Sequence, residues 1–242
     1  MEIEVVRLSP RLAAVANAIA PGSRVADVGT DHGRLPLWLA ASGRAAYCLA
    51  TERNEALLAR VSRPPADAAW ADRLAYRAGD GLHAIRPEDR IDTIVLAGLG
   101  GRTIVRLLGA AAAETDPPPG RLVLQPRSEA ALARGWLSEH GWRPVSEQLA
   151  FDRGRFHATI AAERGDDADL YRDPDLTRED LLVAGPLLAR STALEVTEFW
   201  RLERARLASI LARPGSEPSW ARLRAGIGRA SRILAAISTR AG

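Results

Sequence analysis

Nine residues constrain this chain more than any others: Val25-Ala26-Asp27-Val28-Gly29-Thr30-Asp31-His32-Gly33. An apolar run ends in Asp-x-Gly, turns, and passes directly into a helical pattern. This is the strand–turn–helix junction of a ligand-binding α/β sheet. Dinucleotide-binding loops place a glycine in the middle of such a turn so that backbone can approach a pyrophosphate. Here Asp31 stands in that place. A carboxylate repels a pyrophosphate but suits a cationic ligand.

The rest of the chain repeats the alternation. Candidate strands fall at 24–28, 46–51, 74–78, 91–97 and 121–125, and candidate helices at 34–41, 53–62, 102–113 and 128–140. Alternation of this kind predicts a parallel sheet covered on both faces. The near-continuous apolar character of 91–97 marks a central, doubly buried strand. Ahead of the sheet, Ser9 and Pro10 open a first helix, with Ser9 as its cap and Leu12, Val15, Ala16 and Ile19 on one face. After Gly141 the pattern changes. Segments 143–151 and 155–163 flank Asp152-Arg153-Gly154, a hairpin turn. An antiparallel pair closing a parallel sheet is the ending of the class I methyltransferase fold, a Rossmann-like α/β sheet.

Residues 165–176 are polar and aperiodic, which reads as a linker. Beyond them, Thr177 and Asp180 have capping-box spacing, and Gly185-Pro186 breaks the helix that they start. Another helix runs from about Ser191 to Ala212, and Ser219 is expected to cap a last one. Leu223, Ile227, Ala230, Leu234 and Ile237 alternate spacings of four and three, the seam of a coiled coil. The short turn between the last two helices predicts an antiparallel hairpin. The expected organisation is a methyltransferase domain over 1–165 and a helical coiled-coil domain over 176–242.

Composition limits the partners. All 33 cationic side chains are arginine. Arginine makes planar, bidentate contacts with phosphate that lysine cannot. Residues 176–242 hold 11 arginines against 6 acids, while the remainder is slightly acidic. An acidic partner such as nucleic acid fits that tail, as does a solvated helix surface. Cys48 is the single cysteine, so neither an internal disulfide nor a cysteine metal cluster is expected. The four histidines are dispersed, and no metal-ligand spacing occurs. No apolar run approaches the roughly 20 residues that span a bilayer. The first residues lack a secretory pattern, and a cytoplasmic location fits.

The ends of the predicted strands carry the chemistry. S-adenosylmethionine bears a sulfonium and an ammonium and no phosphate, so it suits the first loop. Asp27 precedes the turn, Gly29 permits it, and the helix opened by Gly33 offers amides to a carboxylate. Asp31 is placed to accept either the cofactor ammonium or a proton from a substrate base. His32 is either an orienting neighbour or a plain helix-start residue. Glu52 lies roughly 20 residues past the loop, where an acid bonds ribose hydroxyls. Asp80 and Gly81 follow the third strand, where Asp80 can accept from an adenine amino group or simply form a turn. Ala97 and Gly98 end the fourth strand on the cofactor side. Gly100 and Gly101 let a substrate approach the backbone, and Arg102 beside them is either a phosphate contact or an exposed helix-start residue.

With those residues in view, the chain resembles the bacterial tRNA (adenine-22-N1)-methyltransferase family. The likeness runs over nearly the whole chain. It is carried by Leu8-Ser9 with Arg11-Leu12, by Ala26 to His32, by Leu35-Pro36, by Gly79-Asp80-Gly81-Leu82, by Ala97 to Gly101, by Leu122 to Pro126 and by Gly185-Pro186. The resemblance implies S-adenosylmethionine as methyl donor, N1 of a tRNA adenine as acceptor, and Asp31 as the catalytic aspartate. Gln125, in the matching Leu122–Pro126 segment, is expected on the substrate side, as are Arg34 and Arg127 at two positions where the chain departs from the family. Gly33-Arg34 stands where the family usually has Ala-Tyr, and Arg127 where it usually has Asn. The competing readings are an RNA-binding protein with a vestigial cofactor fold and a methyltransferase with a non-RNA acceptor.

Overall fold

The apolar run of the fourth strand shows how the first unit is assembled. In a computed structural model the chain is described at residues 7–30, 32–61, 63–65, 67–111, 118–213 and 217–241. Asp31, placed above at the centre of the first loop, lies outside the described residues. Successive side chains of a strand point to opposite faces. Ile94 and Leu96 accordingly join one core with Ile104, Leu108, Trp136 and Leu137. Val95 joins the other, with Val15, Ile19 and Leu39. A sheet buried on both faces by helices results.

The chain divides into two compact units, residues 1–165 and 166–242. The first contains α1 (Pro10–Ala18), β1 (Ser23–Val28), α2 (Arg34–Ala41), β2 (Ala45–Glu52), α3 (Glu55–Leu58), β3 (Leu74–Ala78), β4 (Thr93–Gly100), α4 (Gly101–Ala111), β5 (Arg121–Ser128), α5 (Ala130–Glu139), β6 (Trp142–Asp152) and β7 (Arg155–Arg164). The seven strands lie in the order β3-β2-β1-β4-β5-β7-β6. β1 to β5 are parallel, and β7 is antiparallel to both neighbours. The strand order reverses between β1 and β4, and ligands of open α/β sheets bind outside the carboxyl ends of the strands at such a point.

Several expected boundaries move. β4 runs on through Gly98 to Gly100, because Gly98 (φ +76°) forms a bulge after which Leu99 pairs with Pro126 and Gly100 with Ser128. The helix expected at 53–62 shrinks to the four residues of α3. Asn54 caps it by accepting from the amides of Ala56 and Leu57, but only Leu58 of the helix is buried, and Pro64-Pro65 follow. Without an apolar stripe, and with prolines ahead, the helix has nothing to propagate along. Ser9 does occupy the cap position of α1, but its side chain makes no capping bond.

The second unit contains α6 (Arg178–Ala184), α7 (Leu194–Leu211) and α8 (Glu217–Ala241). Thr177 and Asp180 complete both bonds of the capping box, and Gly185 (φ +91°) ends α6. α8 begins at Glu217, so Ser219 sits inside the helix and not at its cap. Pro218 suits that first turn because its missing amide had no helical partner. Gly226 lets α7 and α8 approach: a methyl group there would stand 3.2 Å from Leu207 Cδ1. Of the expected seam, Ala230, Leu234 and Ile237 are buried and Leu223 and Ile227 half-buried. Ile233 and Ala236 are buried beside it, a face wider than a strict coiled-coil stripe.

Candidate cofactor and substrate site

The described candidate site residues gather where the carboxyl ends of β1, β2, β3, β4 and β5 open onto their loops. Asp27, near the end of β1, is buried. Burial pushes its carboxyl up to about 6, against the opposing effects of a bond with the Thr30 side chain and the positive charge of Arg11. The turn after it is fixed by glycine at φ +81° (Gly29) and +66° (Gly33). The amides of Gly29 and Thr30 both donate to the carbonyl of Thr51 at 2.9 Å, which ties the loop to β2. His32 and Arg34 follow on the exposed side of the junction.

Glu52, the last residue of β2, is half-buried, and its Oε1 accepts the Asn54 amide at 2.9 Å. Its carbonyl accepts from Gly79 at 3.1 Å, which anchors the next loop. In that loop Asp80 is exposed. Its glycine neighbours are constrained differently, Gly79 by packing and Gly81 chiefly by its left-handed backbone at φ +58°. A methyl group on Gly79 would come within 2.7 Å of Ala84 Cβ, and one on Gly81 within 2.6 Å of Leu107 Cδ2.

At the end of β4, Ala97 and Gly98 are half-buried. The Gly98 amide donates to Gln125 Oε1 at 3.1 Å, and Arg11 Nη1 donates to the same oxygen at 2.7 Å. Gln125, read from sequence as a substrate contact, is buried with that oxygen engaged twice. Its effect on the site passes through Arg11 and Gly98. Arg11 was missed from sequence as a site residue, and its signal was slight: one charged side chain in the first helix. A second residue that was missed, His157 on β7, is half-buried. Burial, reinforced by the charge of Arg11, lowers its pKa and favours the neutral ring.

The substrate-side candidates separate. Gly100 has room, with Ser128 Oγ 3.5 Å from where a Cβ would stand. Gly101 does not, because its Cβ would collide with the Glu129 carbonyl, so this glycine serves the contact between α4 and the β5–α5 turn. Arg102 is exposed and paired through Nε with Glu129 Oε1 at 2.9 Å. Arg127 is exposed near the end of β5.

This arrangement fits S-adenosylmethionine. Glycines with positive φ at 29 and 98 stand on either side of the strand-order reversal, where a Cβ would meet only ordinary contacts among the described residues, 3.8 Å from Leu99 Cδ2 and 3.5 Å from Arg11 Nη1. Carboxylates at Asp27, Glu52 and Asp80 match a ligand rich in ammonium, hydroxyl and amino donors. Among the described residues no cluster suited to a metal ion occurs, and no helix is long and apolar enough to cross a membrane.

Comparison with known proteins agrees. Residues 8–160 match the methyltransferase-domain family. A tRNA (adenine(22)-N(1))-methyltransferase of Bacillus subtilis is 30% identical over 206 residues, covering 84% of this chain and 84% of that protein. A Streptococcus pneumoniae protein, described as a candidate tRNA (m1A22) methyltransferase and solved in complex with S-adenosyl-L-methionine, superposes with a TM-score of 0.81. It is 25% identical and the match covers 94% of this chain and 100% of that one. A Streptococcus agalactiae protein of the NAD-binding Rossmann superfamily gives a TM-score of 0.79 at 28% identity, covering 94% and 97%. The sheet order, the glycine bulge at the end of β4 and the likeness over both units have one common explanation: this chain belongs to the tRNA (adenine-22-N1)-methyltransferase family.

Proposed function

We propose that this protein transfers a methyl group from S-adenosylmethionine to N1 of adenine 22 in tRNA. The observation that carries the reading is the pair of left-handed glycines, Gly29 and Gly98, set beside the buried carboxyl of Asp27 where the strand order reverses. When bound, S-adenosylmethionine supplies an electrophilic methyl group on its sulfonium. Asp27, Gly29, Asp31, His32, Glu52, Asp80, Gly81, Ala97 and Gly98 hold it, with Glu52 taking the ribose hydroxyls and Asp80 the adenine amino group. Arg34, Gly100, Arg102 and Arg127 face the substrate.

N1 of neutral adenine already carries a lone pair, so the site has little nucleophile to activate. Its main task is alignment, and most of the acceleration comes from orientation. Asp31 accepts the N6 amino hydrogen bond and takes a proton from N6 after transfer. A base within a paired stem must first be unstacked, at a cost of a few kcal/mol. Phosphate contacts from the arginines of the helical unit offset that cost, so residues 1–165 carry the chemistry and 176–242 grip the tRNA. This work belongs in the cytoplasm, where tRNA is matured.

The test is incubation with labelled S-adenosylmethionine and unmodified tRNA, followed by mass spectrometry of the nucleosides. One N1-methyladenosine at position 22 is expected, absent when that adenine is replaced by guanine. Asp31→Ala should lower turnover at least about tenfold, equivalent to about 1.4 kcal/mol of barrier. Cofactor binding without any methylated tRNA would indicate a vestigial site, and turnover on a non-RNA acceptor a different substrate class.

A further inference from the structure

The β6–β7 hairpin ends in an aromatic pair flanked by arginines, and the site described above does not use it. Phe151 and Phe156 face each other across the hairpin, with ring centroids 5.0 Å apart and planes inclined at 59°. Phe151 is 54% exposed, an unusual state for a phenylalanine in a unit with two well-filled cores. The turn between them is Arg153-Gly154, both with positive φ (49° and 78°), the two-residue geometry that matches strand twist. Arg153 in the turn and Arg155 just after it are both exposed.

Strand register places this tip at the reactive end of the sheet. Leu124 of β5 pairs with Ile160 of antiparallel β7. From that pair, β5 runs four residues on to its end at Ser128, and β7 reaches back four residues to Phe156. The aromatic pair therefore stands at the same end as the carboxyl ends of the parallel strands. His157, next to Phe156, lies within the electrostatic reach of Arg11, which is bonded to Gln125. Exposed Arg127 belongs to the same end of β5.

We infer that the β6–β7 hairpin tip is an RNA contact in which Phe151 stacks on an unpaired base near the target nucleotide while Arg153 and Arg155 take the flanking phosphates. An aromatic face between cations is the chemistry of single-stranded RNA recognition: every base has a π-face, and the cations follow the backbone. Arg153 and Arg155 outnumber the one carboxylate of the tip, Asp152, which pairs in register with Arg155, and the net positive charge beside the ring points to a polyanion. This inference rests on tRNA as the substrate and says which element of the methyltransferase unit grips the part of the tRNA that must be opened.

The test uses the full chain and an unmodified tRNA transcript, with affinity measured across salt concentrations. Phe151→Ala should weaken tRNA binding about tenfold and leave S-adenosylmethionine affinity unchanged. Phe151→Trp should restore tRNA binding, and Phe151→Leu should not. Arg153→Gln with Arg155→Gln should lower the slope of log affinity against log salt by about 1.4–1.8. Parent-like affinity in Phe151→Ala together with a parent-like slope in the arginine pair would overturn the inference. Full recovery by Phe151→Leu would also overturn it, because an apolar protein contact, not base stacking, would then explain the ring. Should Phe151→Ala not fold, the leucine and arginine variants decide alone. If the parent binds tRNA without methylating it, the proposed reaction fails and the hairpin variants still decide this inference. If the parent does not bind tRNA, both fall.

Discussion

Arg11 and Gln125 stand 114 positions apart in the chain, yet the guanidinium of one donates to the amide oxygen of the other at 2.7 Å. The same oxygen accepts the Gly98 amide at 3.1 Å, so one buried side chain sets both the first helix and the bulged loop of β4. Gln125→Ala should therefore act in two ways. Each polar group left without its partner costs about 1–3 kcal/mol. The loss should lower the urea midpoint, and loosening of Gly98 should weaken S-adenosylmethionine binding severalfold in calorimetry. A variant with unchanged midpoint and affinity would mean that Arg11 and Gly98 are held by other contacts.

Asp27 makes stability depend on pH in a definite direction. Burial raises its carboxyl from 3.8 to about 6 in the folded chain. The neutral acid is thus the form that folding favours. Its contribution is full below pH 3.8 and is lost as pH rises through about 6. Asn resembles the neutral acid at every pH. In the absence of cofactor, Asp27→Asn should be more stable than the parent at pH 7.5, by at most about 3 kcal/mol. The two should converge near pH 4, and the variant should bind S-adenosylmethionine more weakly. Denaturation at both pH values checks this, and a constant difference between them would show that Asp27 is not the titrating group.

The glycines of α4 and α5 give opposite expectations. Gly101 has the Glu129 carbonyl against it, and Glu129 itself already holds a left-handed backbone at φ +54°. Gly101→Ala must push that turn away and should cost about 1–3 kcal/mol. Gly109 and Gly135 lie inside the same two helices with nothing within 4 Å of an added methyl. Gly109→Ala and Gly135→Ala should each stabilise by about 0.4–1 kcal/mol. Thermal melts of the three variants are sufficient. A neutral Gly101→Ala would show that the β5–α5 turn yields easily.

The contrast between these glycines shows what the sequence could and could not convey. The alternation of strands and helices was legible because burial on two faces leaves a local imprint, the apolar runs of β1 and β4. The capping box at Thr177 and Asp180 was legible because its bonds span only three residues. The bulge at Gly98 was not, since a glycine at a strand end reads as a turn until its pairing with β5 is known. Gly101 resembled its neighbours in sequence and differs from them through Glu129, 28 positions later. Arg11 entered the site only through Gln125. Loops that hold a ligand follow from strand order, whereas the side chains that brace them are chosen by distant packing.

Long-range pairing also divides the tail arginines, and the division can be tested. Asp180 accepts from Arg229 at 3.1 Å and from Arg232 at 2.9 Å, and Asp173 pairs with Arg240 at 2.6 Å. Burial alone would raise the Asp180 carboxyl, but the bonds from Arg232 and Thr177 outweigh it and hold the pKa below 3.8. Its stabilisation is therefore present above pH 3.8 and fades as pH falls through the lowered value. Arg229 and Arg232 are on this account structural, although both count toward the tail's excess of arginine. Arg201, Arg204 and Arg222 are exposed on α7 and α8. Replacing those three with Gln should lower the slope of log tRNA affinity against log salt by about 2–3, since each phosphate contact contributes about 0.7–0.9. The melting temperature should hardly move. Replacing Arg229 and Arg232 with Gln should do the reverse, lowering the melting temperature with little change in slope. Both sets are measured by the same two assays. If the first set melts early and the second flattens the salt dependence, the helical unit grips RNA through the face that bonds Asp180. Arg201, Arg204 and Arg222 would then be the structural ones.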